Sequence, residues 1–168
     1  MSSLEKSLLA CGLFVVFGAI AWRAEGTTAI LPLIAYYCVL VLNTFFSINA
    51  ISAITPNNVW QNFFDGALVC IYALLAFSFF SVPLFTAVSS LLFVFSFGKY
   101  VHLDRIVNYR LFLRRKMRIN ALGFILSLTA FGIALSGYAT AAAWLLFITF
   151  AIANIYLLAI KPMYRLEN

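Results

Sequence analysis

His102-Leu103-Asp104 is the one place where this chain sets a histidine close to an acid, and His102 is its only histidine. An imidazole near a carboxylate is the minimum for general acid–base work. Two such groups fall short of a zinc site, which takes three or four ligands, so no metal and no cofactor is expected. The same stretch holds most of the charge. Seven of the eleven basic residues lie between Lys99 and Arg118, against Asp104 as the only acid. Arg105, Arg110, Arg114, Arg115 and Arg118 are of the type that grips phosphate and carboxylate through a planar fork. They are the candidates for binding a partner or lipid phosphates.

A second set of polar residues is scattered through apolar sequence. Asp65 follows Asn57, Asn58, Gln61 and Asn62. An acid in a first helical turn favours the helix dipole, and at the mouth of a pathway it contacts an ion or substrate. Asn43 and Ser47 are four apart and share a helix face, and Ser89, Phe93 and Ser96 form a similar stripe. Asn43, Ser47, Asp65, Ser89 and Ser96 thus make a candidate polar pathway. Asn43, Asn49 and Asn154 are expected to bond across to neighbouring helices, worth about 0.6–2 kcal/mol each.

The elements that carry these residues belong to a membrane. The 168 residues are 65% hydrophobic and 10% charged, with mean hydropathy +1.04 and net charge +6. A soluble domain is about 45–50% apolar and about 25% charged. The runs do not alternate as barrel strands do. The fold class expected is all-α: one transmembrane domain over 1–168, a polytopic bundle of six helices with both termini cytoplasmic, four or five spans being the alternative.

The first apolar run is Leu8 to Trp22. Ala19-Ile20-Ala21 fits a signal-peptidase pattern, but Lys6 is offset by Glu5, and the run is read as a retained helix. Ala29 to Ile54 is the second, ended by Thr55-Pro56-Asn57-Asn58. Phe63 to Gly98 would be about 54 Å long as one helix, far beyond a core of about 30 Å. It must fold back, and Ser81-Val82-Pro83 is the break, giving Phe63–Phe80 and Pro83–Val101. A kinked or re-entrant segment is the alternative. Ile119 to Ser136 is the fifth helix, Gly137-Tyr138 a tight turn, and Ala139 to Ile160 the sixth, stopped by Lys161-Pro162.

Six spans gather Lys6, the basic stretch 99–118, Lys161 and Arg165 at one end, and leave Arg23 beside Glu25 at the other. The positive-inside rule then puts the basic end in the cytoplasm. Trp22, Tyr36, Tyr37, Tyr138 and Trp144 are expected at the outer interface, and Trp60, Tyr100, Tyr109 and Tyr164 at the inner one. Cys11, Cys38 and Cys70 lie in apolar runs and are expected as small buried hydrophobes. Gly123/Ser127, Gly132/Ser136 and Gly66/Cys70 with Ala73 permit close helix packing.

Residues 103–118 mix arginine and apolar side chains on one helical face, unlike an interfacial helix. The fourth and fifth helices are therefore expected to extend past the membrane with a turn near Asn108, raising Arg110, Arg114 and Arg118 as a stripe.

The sequence has no phosphate-binding glycine loop, dinucleotide fingerprint, zinc-protease helix or serine nucleophile elbow. Nor does it place an ionisable residue in the middle third of any helix so drawn, which argues against proton-coupled transport and voltage sensing. What is expected is a non-catalytic integral membrane protein, a scaffold, accessory subunit or regulator, binding a partner or anionic lipid through the basic extension. The alternatives are a small homo-oligomeric channel or uncoupled transporter, and an interfacial lipid-phosphate enzyme using His102 and Asp104. Expected partners are anionic headgroups and a like chain or larger membrane complex, not nucleic acid. The expected location is a bacterial inner membrane, there being no glycosylation sequon.

Overall fold

The computed structural model describes residues 2–21, 29–56 and 58–160, and among these the chain is six helices without a strand. They are α1 (Ser3–Ala21), α2 (Ile30–Ser52), α3 (Val59–Phe77), α4 (Val82–Asp104), α5 (Arg110–Leu135) and α6 (Ala139–Ile155), the last continued by one π-helical turn, Tyr156–Ile160. All six are long and apolar enough to cross a membrane. Helices suit that setting because each backbone group finds its partner within its own segment. The chain is an integral membrane protein of six candidate spans. Trp22, Arg23, Glu25, Asn57, Lys161, Pro162, Tyr164 and Arg165 lie outside the described residues.

Local chemistry sets the boundaries. The Asn58 side chain accepts from the Gln61 N–H at 2.8 Å and starts α3 four residues before Phe63. Ser81 caps α4, with Pro83 in its first turn, so the long apolar run is a full hairpin, neither kinked nor re-entrant. At the end of α5, Gly137 adopts φ +90°, Tyr138 N–H donates to Ile133 O, and Gly137 N–H donates to Ala134 O. This is the Schellman closure, which favours glycine. The turn between α4 and α5 occupies residues 105–109, and α5 begins at Arg110. Arg110, Arg114 and Arg118 are thus all part of α5.

Sequential helices run antiparallel. Tyr37 on α2 donates to the Phe14 carbonyl of α1 at 2.9 Å, and Phe14 stacks on Tyr72 of α3 at 4.0 Å. The α4–α5 interface is the most extensive, and Gly123 permits it: a Cβ there would stand 2.5 Å from the Phe93 ring. Large side chains of α5 such as Leu122, Ile125 and Leu128 point outward, while Gly123, Ser127, Ala130 and Ala134 point inward.

Several expectations are corrected here. Tyr36 and Tyr37 are core residues, not interface anchors, and Tyr100 is buried too. Tyr138, Trp144, Trp60 and Tyr109 are exposed, as belt residues should be. Cys38 and Cys70 are exposed on the outer surface of the bundle and only Cys11 is partly buried; hydrocarbon outside the bundle suits an apolar thiol as well as a core does. Of the small-residue pairs, Gly123/Ser127 packs inside the chain. Gly66 and Gly132 have nothing within 4 Å of an added Cβ.

Candidate functional site

The basic stretch divides by residue type. Arg105, Arg110, Arg114, Arg115 and Arg118 are all exposed, whereas Lys99 and Lys116 are buried at 9% and 4% exposure. Helical geometry accounts for the split. At about 100° per residue, Arg110, Arg114 and Arg118 centre on one face of α5, and Lys116, Asn120, Gly123 and Ser127 centre on the other, roughly 150° away.

The inward face lines a cavity of about 780 Å³ at the basic end, walled by all six helices. Among the described residues its charged lining is three lysines, Lys6, Lys99 and Lys116, against one acid, Asp65. The Lys99 ammonium donates to Asp65 Oδ1 across the α3–α4 hairpin. Lys99 is the buried partner, and the Asp65 side chain remains 57% exposed. Asp65 offsets the cost of holding Lys99 away from water, and water screening keeps the pair from being strong. The Lys116 ammonium lies over the Tyr100 ring, 5.9 Å from its centroid; such contacts are worth about 0.5–2 kcal/mol. Tyr100 in turn meets Ser47 hydroxyl to hydroxyl at 3.2 Å.

Amides complete the polar lining. Gln61 is 2% exposed, and neither its Oε1 nor its Nε2 has a hydrogen-bond partner. Asn154 donates to Phe150 O within its own helix and leaves Oδ1 unpartnered. It does not bond across helices as expected. A buried polar group left unpaired costs about 1–3 kcal/mol. Toward the membrane interior the wall becomes apolar, with Phe14, Leu40, Leu92, Phe93, Leu126 and Phe150.

The cavity stops at aromatic rings. Phe93 and Phe150 lie 6.1 Å apart, and Phe150 also meets Tyr36 at 4.8 Å. One helical turn beyond the cavity wall on α2, α4 and α5 sit Tyr36, Ser89 and Ser127, each 0% exposed. The Tyr36 hydroxyl interacts with both serines.

The structure thus brings Asn43, Ser47, Asp65 and Ser96 together on the cavity wall. Ser89 is not on it, because the Phe93 side chain intervenes one turn before. Asp65 is the seventh residue of α3, counting from Val59. This corrects the expectation that no ionisable residue lies in the middle third of a helix, and the cause is the early Asn58 cap. His102 and Asp104 do not line the cavity. His102 lies against the Trp60 and Phe64 rings at 6.3 and 6.2 Å, and no hydrogen bond joins it to Asp104; His102 Nε2 and Asp104 Oδ1 are both unpartnered. Among the described residues, no group of three or more His, Cys, Asp and Glu is placed to hold a metal ion. The sequence reading missed Lys99 and Lys116 as site residues by pooling them with the arginines. The signal was the run Lys116, Asn120, Gly123, Ser127, polar or small at every turn.

Fold and site together define a polytopic α-helical membrane protein with a mostly apolar cavity whose wall at the basic end carries Lys6, Lys99, Lys116 and Asp65. The chain matches no protein-family model, no curated protein and no solved structure.

Proposed function

We propose that this protein is a non-catalytic carrier that takes an amphiphilic anion, an acidic head on an apolar body, into its central cavity. The observation that carries the reading is the lining: three lysines against one aspartate around apolar walls, with the unpaired Gln61 amide among them. A volume of about 780 Å³ falls in the range of small-molecule sites, about 300–1,000 Å³. Lys116 and Lys99 hold the acidic head, Gln61 and Asn154 complete its hydrogen bonds, and the leucine and phenylalanine wall takes the body. One chain supplies all six walls, so the reading does not call on an oligomer. By the positive-inside rule the cavity opens to the cytoplasm, with both termini on that side, in a bacterial inner membrane.

The experiment is flux from sealed proteoliposomes loaded with naphthalene-2-sulfonate, whose head stays ionised. Protein-dependent efflux that Lys116→Met abolishes is the expected result. Efflux no faster than from empty liposomes removes the reading.

A second reading is favoured by the five exposed arginines of the 105–118 stretch. They form a docking face for anionic lipid headgroups or an acidic partner subunit, and the protein is then a scaffold or accessory subunit. Co-purification of one protein, lost when Arg110, Arg114 and Arg118 become Gln, would distinguish it.

A further inference from the structure

We infer that the cavity is entered sideways from the bilayer, through a slot between α5 and α6, and that its ligand is an anionic membrane lipid whose acyl chain lies in that slot. The inference rests on the carrier reading and narrows its amphiphilic anion to one already dissolved in the membrane.

The slot follows from how the α5–α6 seam changes along its length. At about 100° per residue, Ile133, Leu126 and Leu122 form one row on α5, and Ala142, Thr149 and Ala153 form one row on α6. The α5 row lies on the flank away from Leu113, which packs with Tyr100 and Leu103 of α4, and so it faces α6. The right-handed winding of α6, antiparallel to α5, turns the second row toward the first. Near the Gly137 turn the seam is closed, with Ala142 0% exposed. Toward the basic end it parts. Leu122 is 66% exposed and Ala153 is exposed, yet both line the cavity, with Leu126 and Thr149 beside them. Residues that meet both the cavity and the outside of the bundle mark an opening between the two.

The opening meets hydrocarbon. Leu122 lies one turn past Arg118, the last charged residue of α5. The Thr149 hydroxyl donates to Leu145 O within its own helix, so the rim offers an incoming group aliphatic surface. An acyl chain suits such a rim and a hydrated solute does not. Lys116 stands six residues before Leu122 on the same helix, about 9 Å nearer the basic end. That is the side on which the acidic head of a lipid lies when its chain runs into the bilayer. A lipid entering here keeps its chain in hydrocarbon throughout and brings only its head past the rim to the lysines.

The test is photolabelling in nanodiscs containing phosphatidylglycerol or phosphatidylcholine, each with a diazirine midway along one chain, followed by peptide mapping. In wild type, residues 122–126 and 149–153 are expected to take about tenfold more label from phosphatidylglycerol. Lys116→Met should remove that preference. Replacing Arg110, Arg114 and Arg118 by Gln should keep it, which separates a lipid held inside from one held on the arginine stripe. Ala153→Phe, which fills the slot, should lower the label about tenfold and leave the affinity for naphthalene-2-sulfonate within about twofold. If Ala153→Phe does not fold, Lys116→Met decides. Equal labelling by the two lipids, a preference that survives Lys116→Met, or full labelling of folded Ala153→Phe overturns the slot. The carrier reading then stands if naphthalene-2-sulfonate still binds wild type, and falls with the slot if it does not.

Discussion

Lys99 of α4 reaches across the hairpin to Asp65 of α3, so a buried ammonium is held by a half-exposed carboxylate. The pair ties α3 to α4 at the cavity wall, which Lys6 and Lys116 also line.

Asp65→Asn should destabilise the bundle. An exposed pair is worth roughly 0–1 kcal/mol and a fully buried one costs roughly 3–5 kcal/mol to break from one side, so about 2 kcal/mol is expected here. Asp65→Asn with Lys99→Met should recover most of it. Thermal unfolding of the three proteins in one detergent checks this; Asp65→Asn as stable as wild type would show that Lys99 does not depend on the carboxylate.

Gly123→Ala places a methyl group 2.5 Å from the Phe93 ring. Overpacking of this kind costs about 1–3 kcal/mol. Combining it with Phe93→Leu should restore stability, since a smaller side chain clears the space. Equal melting temperatures for Gly123→Ala and wild type would mean that α4 and α5 do not approach so closely.

Replacing Arg110, Arg114 and Arg118 by Gln should leave the fold and the cavity unchanged, because all three face away from them. Retention of anionic lipid should fall, by about 1 kcal/mol for each arginine, and the difference should shrink in high salt. Native mass spectrometry of protein released from mixed-lipid nanodiscs gives the count of bound lipids. An unchanged count contradicts a headgroup role for this stripe.

Thiol access reports both topology and cavity. Cys38 and Cys70 are exposed on apolar faces of the bundle, so a membrane-impermeant maleimide should leave them unlabelled in intact vesicles. In a variant with all three cysteines replaced by Ala, Ser96→Cys should label, and only in inside-out vesicles. Labelling of Ser96→Cys in right-side-out vesicles would place the basic end outside.

Much of the fold could be read before any coordinates. Hydrocarbon length alone forces the break at Ser81-Val82-Pro83, and Gly137 marks the α5–α6 turn because few other residues take its φ. The start of α3 was harder, since Asn58 lies among several polar residues and only the cap geometry singles it out. The site was half legible. Asn43, Ser47, Asp65 and Ser96 lie on the wall of one cavity. Ser89 was displaced by one turn, because periodicity gives a face and not a depth. Lys99 and Lys116 were hidden among arginines, because charge counts along a chain do not register which way a helix turns each side chain. Tyr36 looked like an interface anchor; its burial depends on α4 and α6, which supply Phe85 and Phe150 around its ring.

The most direct measurement is equilibrium binding of naphthalene-2-sulfonate to the protein in nanodiscs, wild type beside Lys116→Met. The predicted result is saturable binding by wild type and affinity about tenfold weaker in the variant, the loss of one charge-assisted contact. Absence of saturable binding by wild type, or equal affinity in the two proteins, would contradict a cationic anion-binding cavity.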